Sequence, residues 1–308
     1  MNFIVHIGFS RTGTTTLQKH LFAKHSQLHY LGKPYPSESF KQEIENLLMH
    51  ETLVYCPAQI EGIMALPLSG KKNSSIRTML LSDERFVSYS KIRDRGVVAE
   101  RIKSYLQPDK ILITIRNQFD ILKSAYLSRG RRLLNVPDKF SGRFVTLEEW
   151  LSFSYKNSAR SYIGHVDYYK TVAYYAKTFG KENISVLLFE DLVRNKEAFV
   201  NNLTDFLGIG SEEALKNMGD KHEHKEISQR RLDFERFKSR ISPVTRIPIF
   251  DRMAQSFYLG MKRTKKDRIA EVEIPGPWQD RLGHFYKEGN RKLVEECGLP
   301  LERHGYPL

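Results

Sequence analysis

The chain has 308 residues, 40% apolar and 28% charged, a composition shared by ordinary globular proteins and a length suited to one large domain or one and a half. Its two cysteines, Cys56 and Cys297, lie far apart in sequence, which excludes a disulfide framework and a C-x-x-C metal pair and points to a reducing, cytoplasmic setting. A formal charge of +13, from 49 Lys and Arg against 36 Asp and Glu, favours polyanionic partners and leaves nucleic acid, anionic membrane and a phosphorylated cofactor open.

The opening MNFIVHIG reads as a strand, without a basic n-region or a small-residue cleavage site, and no stretch approaches about 18 consecutive apolar residues. Neither secretion nor a membrane span is expected. The β-type run Phe3 to Ile7 leads into a loop and then a helix from about Gly13 to Ala23. Within it, GFSRTGTT has the G-x-x-x-x-G-[KT]-T spacing of a phosphate loop, but Thr14 stands where the phosphate-gripping lysine is expected. A strand delivers the chain to Gly8, Gly13 permits a tight backbone path, and a helix starts at the loop's end. Several N–H groups and a positive dipole end then converge on one point, where an anion is expected. The competing reading is an ordinary strand-to-helix turn capped by threonines. Arg11 weighs against that reading, because a cation inside the turn adds phosphate affinity.

Further along, Ser75 to Leu81 is β-like and runs into LLSDERF, which places Asp83 and Glu84 at a strand end. Lys110 to Ile115, KILITI, is the clearest buried strand, with Arg116 at its carboxyl end and a helix following from about Gln118 to Leu127. Ser124 lies two turns into that helix. Ligands of open α/β sheets bind outside the carboxyl ends of the strands, so Arg116 and the Gly8 to Thr16 loop are expected to share one crevice. Helical patterns cover Leu147 to Lys156 and roughly His165 to Phe179, where Val166, Tyr169, Val172, Ala173 and Ala176 recur at three- and four-residue steps. Ile184 to Phe189 is another core strand, with Lys196 to Leu207 a helix behind it. This β-loop-α alternation predicts an α/β fold with a mainly parallel sheet between helices, and with the phosphate-loop spacing at its start it resembles the three-layer P-loop-NTPase-like fold.

Gly219 to Ile274 is less regular, more basic and broken by Ser-Pro and Ile-Pro, as a flap would be; Pro277 to Leu308 reads as a helix and a tail. The HEHK run at 222–225 makes a poor metal site, since histidines at i and i+2 do not share a helical face and no carboxylate frame accompanies them. No metal is expected. The tyrosine-rich helix with Tyr168, Tyr169, Tyr174 and Tyr175 reads as packing.

These segments resemble those of sulfotransferases that use 3'-phosphoadenosine 5'-phosphosulfate (PAPS). In that family a P-K-S-G-T-T or P-K-T-G-T-T loop, similar to Ser10, Arg11, Thr12, Gly13, Thr14 and Thr15 and running on to Thr16, binds the 5'-phosphosulfate. A second motif, R-N-P-x-D followed by S-x-Y, resembles Arg116 to Asp120 and Ser124 to Tyr126; its Arg and Ser bind the 3'-phosphate. VLLFEDL at 186–192 resembles the family's strand ending in Y-E-D-L or F-E-D-L, and the C-terminal N-R-x-L, G-L-P-L and G-Y-P pattern is similar to bacterial members. The match touches most of the chain in order. Arg11 stands where the family commonly has lysine, and Gln118 where it has proline. Arginine keeps the charge and two donors but is a poor proton donor, which points Arg11 to electrostatic help for the leaving group.

The resemblance implies PAPS as donor, adenosine 3',5'-bisphosphate as product, and a hydroxyl of a carbohydrate, glycolipid or small metabolite as acceptor. Carbohydrate-type members place a glutamate near Glu84, which makes Glu84 the first candidate for general base and Asp83 the second. Phe189 stands near where relatives have a tyrosine close to the adenine, a core-packing role being the alternative, and Arg230 or Arg231 matches basic residues that close over the phosphates. The expected organisation is a single domain over 1–308 with a basic flap or acceptor-side region at about 219–274. Two other classes compete: a P-loop kinase or nucleotide hydrolase, which needs a lysine at position 14 and a Walker-B-like aspartate where the KILITI strand ends instead in Arg116, and a non-enzymatic basic binder of nucleic acid or membrane. A nucleic-acid partner is not expected, whereas the basic piece at 246–266 is suited to peripheral contact with anionic membrane. The sequence does not speak to oligomeric state or to the acceptor, which the irregular 30–70 and 219–274 regions set.

Overall fold

In the computed structural model, residues 1–49, 75–88, 94–128, 145–219, 229, 232–234 and 270–308 are described. Five strands form one parallel sheet: β1 (Asn2–His6), β2 (Leu28–Tyr30), β3 (Thr78–Ser82), β4 (Lys110–Ile115) and β5 (Ile184–Leu188). Their order is β2-β3-β1-β4-β5. β1 is central, paired with β3 through His6 and Ser82 and with β4 through His6 and Leu112. The sheet extends from β1 toward β3 on one side and toward β4 on the other, so the carboxyl end of β1 is the switch point where α/β folds bind ligands.

The sequence dictates this burial. All five residues of β3 and Ile111 to Ile115 of β4 are buried, which is why these strands read as continuous runs instead of alternating ones. The helices that cover them supply matching apolar stripes. Helix α1 (Thr14–Leu17) passes into a π-type turn (Gln18–Phe22), and Leu17, Leu21 and Phe22 pack with Ile4, Leu80 and Leu112 of the sheet. Further helices are α2 (Glu38–Met49), α3 (Arg95–Arg101) with its π-type continuation Ile102–Leu106, and α7 (Tyr168–Phe179). They are followed by α8 (Phe189–Arg194), α9 (Lys196–Leu207) and α10 (Ser211–Met218). Helix α9 starts where the Asn195 side chain accepts from the Ala198 N–H and ends at Gly208, whose φ of 68° suits a residue without Cβ.

The chain divides into two compact units: residues 1–117, 165–223 and 286–308, holding the sheet, and residues 118–164 and 224–285. The second unit contains α4 (Gln118–Ser128), α5 (Leu147–Lys156) and most of α6 (Tyr162–His165). Thr146 and Glu149 form a reciprocal capping box at the start of α5. Trp150 packs between Tyr126 and Tyr162, at ring distances of 5.9 and 6.3 Å. The last helix, α11 (Gly276–Cys297), runs through the boundary between the units in sequence.

Three expectations change. The pattern from His165 to Phe179 is not one helix: α6 ends at His165 and α7 begins at Tyr168. Its buried stripe is Tyr168, Thr171, Val172, Tyr175 and Phe179, because tyrosines fill the core face that alanines were expected to hold. The stretch taken as irregular from residue 30 contains α2, with Phe40, Ile44, Leu47 and Leu48 inward. Phe189 is the first residue of α8 and not the end of a strand.

Candidate active site

Beyond His6 the chain keeps hydrogen bonding to β4: the Ile7 N–H donates to the Leu112 carbonyl at 2.9 Å and the Phe9 N–H to the Thr114 carbonyl at 3.1 Å. Gly8 lies between them with no room for a side chain. A Cβ there would strike the Thr114 hydroxyl and come within 2.5 Å of His6 Nε2. The loop then turns through two left-handed residues, Arg11 (φ 74°) and Gly13 (φ 79°). For glycine that conformation carries no penalty; at Arg11 it costs about 1–3 kcal/mol, strain of the kind that clusters at functional sites. Thr12 is buried, and its hydroxyl closes the turn on the Phe9 carbonyl at 2.6 Å. Gly13 occupies the cap position of α1 and offers no side chain to its N–H groups. Thr14 and Thr16 are buried, Ser10 and Arg11 half-buried, and Thr15 exposed.

Arg116 leaves β4 beside this loop. Its Nη1 donates to the Arg11 carbonyl at 3.3 Å, and its guanidinium lies 4.7 Å from the centre of the Phe189 ring. The same ring flanks the loop, since a Cβ on Gly13 would stand 3.1 Å from it. Arg116 is fixed from behind. Its carbonyl accepts from the Tyr168 hydroxyl at 2.6 Å, and the next N–H, of Asn117, donates to Glu190 Oε1 at 2.7 Å. Glu190 Oε2 accepts from the Tyr306 hydroxyl, while Asn117 Nδ2 donates to the carbonyls of His304 and Gly305. Burial and the Glu190 charge push the Tyr306 hydroxyl well above its ordinary range, so it remains a donor. Glu190 thereby ties the start of α8 and the chain's end to the residue after Arg116.

The carboxylates leave β3 next to β1, where the Asp83 N–H donates to the His6 carbonyl at 3.1 Å. The strand does not continue: Asp83 caps a 3₁₀ turn, Glu84–Phe86, and the two carboxylates have different surroundings. Asp83 is fully buried and accepts from the Arg85 N–H (2.9 Å), Arg85 Nε (2.9 Å), Lys33 Nζ (3.1 Å) and the Tyr35 hydroxyl. Burial, then Asp83, pushes the Tyr35 hydroxyl up. Burial pulls Arg85 down, but Asp83 and Tyr35 outweigh it and the net shift is upward. Glu84 is partly exposed, with Oε1 3.5 Å from Lys33 Nζ; its Oε2 is buried, and no donor among the described residues reaches it.

The structure thus brings Ser10 to Thr16, Arg116 and Phe189 together and sets Asp83 and Glu84 on the neighbouring strand end. Ser124 falls in the second unit, half-buried in α4. Arg230, Arg231, the HEHK run and 246–266 lie outside the described residues. Lys33, Tyr35, Tyr168, Glu190 and Tyr306 did not stand out as site residues in the sequence. Glu190 and Tyr306 sit inside the quoted F-E-D-L and G-Y-P motifs, a signal that could have marked them, whereas Lys33 and Tyr35 follow a three-residue strand with no pattern. Among the described residues there is no cluster of metal-ligating side chains, and no helix is long and apolar enough to cross a membrane.

A parallel sheet with a glycine- and threonine-rich loop at its central strand and an arginine at the end of the next defines a P-loop-like α/β fold. Residues 3–240 match the family model of the sulfotransferase domain, and the chain belongs to that family of enzymes, which transfer sulfuryl groups. Among solved structures it is similar to a sulfotransferase from Alicyclobacillus acidocaldarius (16% identity, 98% of each chain covered, TM-score 0.57), which supports the fold. A sulfotransferase domain from the curacin biosynthetic pathway matches at 14% identity and a TM-score of 0.41, over 70% of this chain and 78% of that one. A mouse sulfotransferase complexed with PAP matches at 15% and 0.38, over 77% and 65%. No curated protein sequence matches the chain.

Proposed function

We propose that the protein moves a sulfuryl group from PAPS to a hydroxyl of a carbohydrate, glycolipid or small metabolite, with Glu84 as general base. The observation that carries the donor reading is Arg116, stacked on Phe189 and bonded to the Arg11 carbonyl, so that one cation borders both the loop and an aromatic face. In this reading Ser10 to Thr16 surround the 5'-phosphosulfate. Gly13, Thr14, Thr15 and Thr16 contribute N–H groups and hydroxyls, and Thr12, its hydroxyl turned inward, contributes through the backbone. Arg116 grips the 3'-phosphate and Phe189 borders the adenine. Ser124, on the 3'-phosphate, and Arg230 or Arg231, closing over the phosphates, keep roles that rest on family resemblance alone.

The acceptor oxygen attacks sulfur, the bond from sulfur to the 5'-phosphate oxygen breaks, and the acceptor's proton passes to Glu84. Adenosine 3',5'-bisphosphate leaves with its new charge facing the loop N–H groups and Arg11. Glu84 is preferred to Asp83 because Asp83 is fully buried and already accepts from four donors, whereas the Glu84 side chain is partly exposed and, among the described residues, faces only Lys33. A phosphosulfate presents fewer charges at its reacting end than a magnesium-bound triphosphate, so the loop has no need of the missing lysine. The family match at 3–240 takes in most of the first compact unit and part of both segments of the second, in keeping with one sulfotransferase domain over 1–308. The two cysteines support a cytoplasmic location, and the basic piece at 246–266 supports contact with anionic membrane.

Incubation with sulfur-labelled PAPS and a fractionated cell extract tests the reading. Label should pass to a hydroxyl-bearing fraction, and Glu84→Gln should slow transfer by about 10²–10⁴-fold. It should leave binding of adenosine 3',5'-bisphosphate intact. Unchanged turnover in Glu84→Gln would remove it from the role.

A further inference from the structure

Beneath the loop lies a set of buried polar side chains that take no part in the steps above, Thr12 having entered them only through its backbone. His6 Nδ1 is 2.8 Å from Ser82 Oγ and His6 Nε2 is 3.3 Å from Thr114 Oγ1. Thr114 Oγ1 is 2.7 Å from Thr12 Oγ1, and Gln18 Nε2 donates to Ser82 Oγ at 3.0 Å. His6, Thr12, Gln18, Ser82 and Thr114 are all buried, so a wrong proton placement would leave a donor facing a donor with no water to relieve it.

The proton positions follow from the chain's end. The Phe9 carbonyl can only accept, so the Thr12 hydroxyl donates to it. Thr12 has then no proton for Thr114, and the Thr114 hydroxyl must donate to Thr12. Thr114 in turn can only accept from His6, which places the ring proton on Nε2. His6 Nδ1 is left as an acceptor, Ser82 donates to it, and Ser82 receives from Gln18. One ordering satisfies every member.

We propose that His6 is a positioning residue for the donor loop, acting through a proton-ordered chain that runs Gln18, Ser82, His6, Thr114, Thr12 and Phe9. It touches neither donor nor acceptor. Its imidazole fills the space under Gly8, is backed edge-on by the Phe22 ring at 5.5 Å, and sets the hydroxyl pair that holds the Phe9 to Thr12 turn closed. At its other end the chain fixes Ser82, the residue before Asp83, so the loop and the carboxylate turn share one support.

The consequence for binding rests on the PAPS reading; the proton order does not. Long-range nitrogen–proton correlation spectra of histidine-labelled protein should show His6 as the Nε2–H tautomer from about pH 5 to pH 8. An Nδ1–H tautomer, or an imidazolium at neutral pH, would overturn the chain. Thr114→Val keeps the shape and removes the bridging hydroxyl, and Thr114→Ser keeps the hydroxyl. By calorimetry, Thr114→Val should weaken adenosine 3',5'-bisphosphate binding about tenfold, the loss of roughly one well-made hydrogen bond, and Thr114→Ser should retain wild-type affinity. Equal affinity in Thr114→Val and wild type would overturn the positioning role. A wild-type protein that binds no nucleotide would overturn the donor reading, and the tautomer would then decide the chain alone.

Discussion

His6 carries the clearest dependence of stability on pH. Burial lowers its pKa to about 3, and its polar neighbours, Ser82 of β3 and Thr114 of β4, are neutral. In the unfolded chain the same histidine titrates near 6.5. Between these values the unfolded state binds a proton that the folded state does not. The contribution is therefore complete above about pH 6.5 and is lost progressively as pH falls toward 3. His165 has the same sign, lowered first by burial and then by Arg95. Melting midpoints measured from pH 7 down to about pH 4.5 should fall, and His6→Asn should show a shallower decline than wild type. Equal slopes would mean that His6 is not held neutral. A histidine inside an apolar strand gives no sequence signal of this kind, because its meaning comes from Ser82 and Thr114, distant in the chain. Glu84 and Asp83 were legible as a strand-end pair, but not their different surroundings, which Lys33, Tyr35 and Arg85 create.

Strong local patterns made β1, β4, β5, α5 and α9 readable: continuous apolar runs for the strands, although β5 is half-buried except at Leu188, and helical periodicity for α5 and α9. β2 was lost because three residues cannot show a period. α2 was passed over despite the spacing of Phe40, Ile44, Leu47 and Leu48. What no local pattern encodes is the joining of elements, and Glu190 is the case in point. It links the start of α8, the residue after β4 and the chain's end through the Asn117 N–H and the Tyr306 hydroxyl. Glu190→Gln presents an amide donor to groups that are themselves donors. It should lower stability by about 1–3 kcal/mol in denaturant titration and also weaken adenosine 3',5'-bisphosphate binding, by loosening the segment that aims Arg116. Lost stability with unchanged affinity would show that Glu190 holds the fold without aiming Arg116.

For the molecule as a unit, the sequence showed the α/β class, the parallel sheet and the family, because two separated family-like motifs, Ser10 to Thr16 and Arg116 to Tyr126, begin after adjacent strands, β1 and β4. It did not show the acceptor, because the segments expected to set it, at about 30–70 and 219–274, carry no motif. The charge of +13 predicts that an anionic donor binds more weakly as salt is raised. The central claim is that the loop without a lysine is built for PAPS and not for a triphosphate. Calorimetric titration of adenosine 3',5'-bisphosphate into wild-type and Arg116→Ala protein, with ATP as competitor, tests it most directly. The account predicts saturable one-to-one binding that ATP does not displace and that Arg116→Ala weakens by at least about tenfold, the loss of a charge-assisted hydrogen bond. Displacement by ATP at equal concentration, or indifference to Arg116→Ala, would contradict it.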